Sequence, residues 1–255
     1  MSTDPMAIPA STPEPAPVAQ ISPFGRIIGM FFSPKPTFED IVRKPSWILP
    51  AILIFVMGFA GVIGLNLHFD WKGYVAQQIE KSPRAASLTA DQKQQQIDAG
   101  AKYAPIFSYV FGLPAPLLAL LVISLVLLGI YNLIGGAGVD FKTSFAITSH
   151  AFIPATVIGT LLFLVVLFLK PVGTFDLDNP VATNLAILFP EDSAKWLVAL
   201  GKNIDLLEFW KLILLGIGFG VANPRKLKGA KPFVIAFGAF FVYIVVRVGL
   251  AFIFS

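Results

Sequence analysis

Five apolar stretches, residues 47–69, 113–134, 145–169, 206–222 and 232–254, constrain this chain more than any other feature. Each has the length to cross a hydrocarbon core ~30 Å thick, which takes ~20 helical residues at ~1.5 Å per residue. A bilayer core offers backbone groups no water, so each stretch is expected as a helix that satisfies its own amides and carbonyls. The fold expected is therefore an all-α integral membrane protein, a bundle of five transmembrane helices. Short amphipathic surface helices are expected in the N-terminal flank and in the two larger loops. Composition agrees: 13% of residues are charged, against about a quarter in soluble domains.

Charge and cysteine content exclude several classes. The net charge of +4 is small and no arginine- or lysine-rich block occurs, so no nucleic-acid partner is expected. Cysteine is absent, which removes disulfides, thiolate metal sites and S-palmitoylation. No cofactor or metal is expected. The partners expected are the lipid bilayer and other membrane proteins or a second copy of the chain.

Residues 1–23 carry Pro5, Pro9, Pro13, Pro15, Pro17 and Pro23 among small polar residues and read as a disordered cytoplasmic tail. The membrane domain is residues 24–255. Phe24, Ile27, Ile28, Phe31 and Phe32 recur at helical spacing around Arg26, which predicts a helix lying in the membrane interface. Thr37 and Asp40 suggest the start of a second short helix. Two more helices are expected over Trp71–Lys81 and 90–103, the latter begun by a Thr89–Gln92 capping box. Another pair is expected in 170–205, with starts near Asp178 and Ser193 and a stop at Gly201.

Short loops rich in Lys and Arg stay cytoplasmic. Arg26, Lys35, Arg43 and Lys44 precede the first stretch, and Arg225, Lys226, Lys228 and Lys231 fill the last loop. Both lie on one side of a five-span chain. An inside N-terminus and outside C-terminus follow.

Enzymatic chemistry finds little support. His68 and His150 are the only histidines, and Ser149 beside His150 points about 100° away from it on a helix. Zinc-protease, serine-hydrolase and P-loop motifs are absent. An intramembrane hydrolase is the weakest alternative; a small permease or channel subunit is stronger, since charges inside spans mark ion paths. Arg247 lies within the fifth stretch, and Glu208 or Asp205 at the start of the fourth is its expected ion-pair partner. Gly58, Gly61 and Gly64, with Gly216 and Gly220, read as helix-packing glycines.

Several short motifs then agree with one family. Phe32-Ser33-Pro34-Lys35-Pro36-Thr37-Phe38 is followed by Pro45-Ser46-Trp47-Ile48-Leu49-Pro50 before the first span. His150 and Pro154 sit in the third, and Phe209-Trp210 open the fourth. In this order they resemble the Yip domain family of five-span membrane proteins, especially its bacterial branch. The resemblance implies a non-enzymatic membrane scaffold or partner-binding organiser with a trafficking-like role. It also implies a bacterial inner membrane, or the endoplasmic reticulum or Golgi in a eukaryote.

Overall fold

The computed structural model describes residues 20–190 and 192–253. Most of the expected disordered tail, residues 1–19, lies outside them. Its last residues do not behave as a tail: Ser22 accepts a hydrogen bond from the Gly25 amide and Pro23 opens the first helix. In chain order the helices are α1 (Pro23–Phe32), α2 (Pro34–Arg43), α3 (Ile48–His68), α4 (Trp71–Lys81), α5 (Ala90–Gly112), α6 (Ala115–Leu133), α7 (Phe141–Leu169), α8 (Lys195–Asn203), α9 (Leu206–Ala222) and α10 (Lys231–Ile253). No strand ladder occurs among the described residues, so the protein is all-α.

Among the described residues four helices are long and apolar enough to cross a membrane: α3, α7, α10 and a continuous 44-residue run through α5 and α6. At ~1.5 Å per residue that run is ~66 Å long, about twice a hydrocarbon core, so α5 must extend beyond the bilayer. Its outward part pairs with α4 through Lys93–Glu80 and Lys72–Asp98 ion pairs. The helix expected over 90–103 thus runs on to Gly112, through Pro105. The fourth apolar stretch coincides with α9, which has 17 residues and buries Leu212, Leu214, Leu215 and Phe219.

Two ends of the bundle can be told apart by hydrogen bonds. At the near end Tyr131 donates to the Pro232 carbonyl at 2.6 Å, Asn223 to Ala137 at 2.8 Å and Lys231 to Gly135 at 3.0 Å. These bonds tie the end of α6 and residues 135–137 to Asn223 and the start of α10. At the far end His68 reaches the Lys170 carbonyl at 3.2 Å, joining the ends of α3 and α7.

The first half of α7 is the axis on which the others pack. Residues 144–151 are buried without a break, and their hydroxyls stay inside the protein. Thr148 donates to the Ser144 carbonyl at 2.8 Å and Ser144 to the Ser124 carbonyl of α6 at 3.0 Å. Lipid tails are as apolar as leucine, so such polar contacts and close packing must hold the helices together. Tyr131 of α6 stacks flat on Phe219 of α9 with ring centroids 3.8 Å apart, and both rings are fully buried.

Three local expectations are corrected. Helix α2 begins at Pro34 and not at Thr37, because Pro34 and Pro36 fit the first turn, where amides have no helical partner. The Thr37 hydroxyl instead donates back to the Ser33 carbonyl at 2.7 Å. No α-helix starts at Asp178; the segment holds a short 3-10 turn at Leu185–Leu188, and α8 runs past Gly201 to Asn203.

Candidate functional site

Two constellations of charged and polar side chains stand out, one at each end. The near-end one belongs to α1 and α2, which fold back on each other at Ser33. Arg26 and Asp40 each lie seven residues from Ser33, so an antiparallel helical pair brings them together. The Arg26 Nε donates to Asp40 Oδ2 at 2.7 Å, and both residues are buried. The same guanidinium donates to Ser46 Oγ at 2.7 Å and to the Lys44 carbonyl at 3.1 Å. A buried charge is tolerated when its partner and remaining hydrogen bonds are supplied, as they are here.

This geometry orients α1. Arg26 faces the bundle, and the apolar stripe Phe24, Ile28 and Phe32 faces outward. The helix packs against α2 and α7. The Phe31 ring meets Trp210 of α9 edge-on at 6.0 Å. Trp210 is twelve residues before Ala222, ~18 Å of helix from the near end of α9. On α2, Phe38 and Ile41 are fully buried in the main core.

Some of the family-like motif positions serve this docking. Pro34 starts α2, and Phe38 fills the notch left by Gly218, where an added Cβ would sit 2.5 Å from Ile147 and 2.9 Å from Phe38. Trp47 packs edge-on against Phe145 at 5.3 Å. Pro45 precedes α3, and Pro50 is buried in its first turn. Phe209 leans on Phe237 of α10 at 6.1 Å. Phe32, 82% exposed, and Trp47, 40% exposed, are the motif rings that reach the outer surface. His150 is buried in α7, where its Nδ1–H donates to the Ala146 carbonyl at 2.8 Å. Ser149 donates to the same carbonyl at 3.1 Å, so both side chains serve the helix backbone. Pro154 is buried one turn later.

The far-end constellation surrounds the start of α9. Asp205 caps that helix, accepting from the Leu207 and Glu208 amides at 2.8 and 3.2 Å, and takes the Thr183 hydroxyl at 2.5 Å. Glu208 is held by Lys211, one turn on, at 2.5 Å. Arg247 lines the same cavity as Asp205 and Glu208 but pairs with neither. Its guanidinium donates to Tyr243 Oη at 3.1 Å and Asn203 Oδ1 at 3.4 Å. The expected direct pair is replaced because Lys211 shares a helix face with Glu208 at i, i+3 and reaches it first.

Among the glycines, Gly64 and Gly216 lie so close to Leu164 and Phe233 that an added Cβ would overlap them. A Cβ added at Gly220 would sit 3.1 Å from Pro232, and one at Gly58 an ordinary 3.4 Å from Pro116. A Cβ added at Gly61 would meet nothing within 4 Å beyond its own helix, so the expectation of close packing there has no counterpart among the described residues. Sequence reading missed Gly218, Asn203 and Lys202; the equal spacing of Arg26 and Asp40 about Ser33 was the one available signal for the ion pair. Among the described residues no group of His, Cys, Asp and Glu is arranged to hold a metal.

These features define a polytopic helical membrane protein with an N-terminal helical pair built into its core. The Yip1 domain profile matches residues 28–248, and the chain belongs to that family, a non-catalytic family of membrane proteins. No curated protein and no solved structure matches it.

Proposed function

We propose that the protein is a non-enzymatic membrane scaffold that spans the bilayer five times and presents its near end to a protein partner on the cytoplasmic side. The observation that carries this is the built-in α1–α2 pair. Its buried Arg26–Asp40 contact fixes the N-terminal flank against α7 and α9. Exposed Arg43 and Lys44 then stand at the same end as exposed Lys142, Arg225, Lys226 and Lys228. A rigid basic platform beside the membrane suits recognition of an acidic surface and steers its approach. The Ser149 and His150 hydroxyl and imidazole, committed to one backbone carbonyl, support a structural role over hydrolysis.

The absence of cysteine allows a direct test. Single cysteines at Lys228 and at lipid-facing Leu125, each carrying a photocrosslinker, are compared in native membranes. A protein adduct specific to Lys228 and lost when Arg225, Lys226 and Lys44 are changed to glutamate supports the reading. Solute flux in proteoliposomes, with no adduct at the platform, overturns it in favour of a permease.

A further inference from the structure

Two cavities meet at the far end and share four residues: Lys202, Glu208, Lys211 and Arg247. One, of about 370 Å³, has a mixed lining that carries charged side chains and lies between α7, the 178–184 segment and the start of α9. The other, of about 440 Å³, is apolar and lies between α6 and α10, lined by Val122, Val126, Ala236, Ala239 and Phe240. Both volumes fall in the ~300–1,000 Å³ range of small-molecule sites. Val122, Val126 and Tyr243 are exposed on the bundle surface, so the apolar cavity opens sideways, where lipid lies. An apolar slot continuous with a charged chamber has the shape and polarity of an amphiphile.

The charges choose the headgroup. Asp205 is occupied by Thr183 and the α9 amides, and Glu208 by Lys211. Arg247 has only the neutral Asn203 and Tyr243 as hydrogen-bond partners. Lys202 has no ion-pair partner among the described residues, and Asp178 is exposed at the outer rim. The lining as a whole is balanced, three cations against three carboxylates. Lys202 and Arg247, which line both cavities, are however the two cations without a carboxylate ion-pair partner among the described residues, and a phosphate between them receives charge-assisted hydrogen bonds from both. Arginine and lysine together are well suited to phosphate oxygens, the first by its planar fork and the second as a point charge.

We infer that the chain binds a membrane glycerophospholipid at this place. Its phosphate lies between Lys202 and Arg247, and one acyl chain fills the slot between α6 and α10. The site is independent of the scaffold reading, since it requires neither a protein partner nor the near-end platform.

Native mass spectrometry of the full chain in mild detergent tests this with three probes: phosphatidylglycerol, diacylglycerol and glycerol 3-phosphate. A one-to-one phosphatidylglycerol adduct is expected, retained about tenfold better than diacylglycerol, as loss of charge-assisted hydrogen bonds predicts. The K202A/R247Q pair and Ala239→Trp, which fills the slot, should each weaken it roughly tenfold. Lys228→Ala should leave it unchanged. Equal retention of diacylglycerol, full displacement by glycerol 3-phosphate, or retention unaffected by both site variants overturns the inference. Should the variants unfold, a phospholipid with a photoreactive group at its acyl terminus decides it on the unaltered chain. Labelling must then fall on α6 and α10 between 122–127 and 236–240; labelling confined to other helices overturns the site.

Discussion

The Arg26–Asp40 pair is the residue on which the N-terminal architecture turns, because each charge is buried and finds its neutraliser only when α1 and α2 fold together. Removing one partner leaves the other uncompensated, at a cost of ~3–5 kcal/mol for a buried pair. Arg26→Ala or Asp40→Ala should therefore lower the melting temperature in detergent steeply, while R26M/D40L should recover most of the loss. A double variant as unstable as the worse single one would contradict this account. Arg247 gives a second residue-scale prediction: with neutral partners only, Arg247→Ala and Glu208→Ala should be additive within ~0.5 kcal/mol, whereas Arg247→Ala and Asn203→Ala should couple in a double-mutant cycle. Asp140 gives a third. Hydrogen bonds from the Thr143 hydroxyl and amide hold its carboxyl below the usual range. A depressed carboxyl favours folding above its unfolded value of ~3.8 and loses that contribution as pH falls through the lower folded value. Asp140→Asn should flatten the acid limb of stability against pH measured in detergent.

At the scale of elements, the apolar runs were legible because each helix here must carry its own backbone hydrogen bonds across lipid. Observed bounds follow the runs closely: Ile48–His68 against 47–69, and Lys231–Ile253 against 232–254. The Thr89 capping box was legible too, since both of its bonds are local: Thr89 Oγ1 accepts from the Gln92 amide at 3.2 Å, and Gln92 Oε1 from the Thr89 amide at 2.9 Å. The packing of α1 against α2 and α7 was not, because it rests on where Arg26 points, and that depends on Asp40 across a turn. The far-end cavity was legible only as a neighbourhood: Arg247, Glu208 and Asp205 do converge, but Lys211 competes for Glu208 from the next turn of the same helix. Element-scale packing predicts that Gly218→Leu, which drives a side chain into Phe38 and Ile147, destabilises by ~1–3 kcal/mol or more, as overpacking does. Gly61→Ala, with open space around it, should be neutral in a thermal melt, or slightly stabilising through helix propensity.

For the whole molecule, the proposed topology turns on α9, which in it crosses the membrane and separates a basic near end from the far-end cavity. At 17 residues it is the shortest span proposed, ~25 Å long and at the lower limit for a hydrocarbon core. It runs through the protein interior, with Leu214 and Phe219 almost fully buried, so neighbouring helices cover what its length does not. In the proposed topology its crossing sets the sidedness of everything after it, including the 223–230 loop and the start of α10. The decisive measurement is labelling of single cysteines at Lys195 and Lys228 with a membrane-impermeant maleimide, in intact cells and in inverted membrane vesicles. Lys195→Cys should react only from outside and Lys228→Cys only from the cytoplasmic face. Reaction of both positions from the same side, in a correctly inserted and stable chain, would contradict the proposed topology.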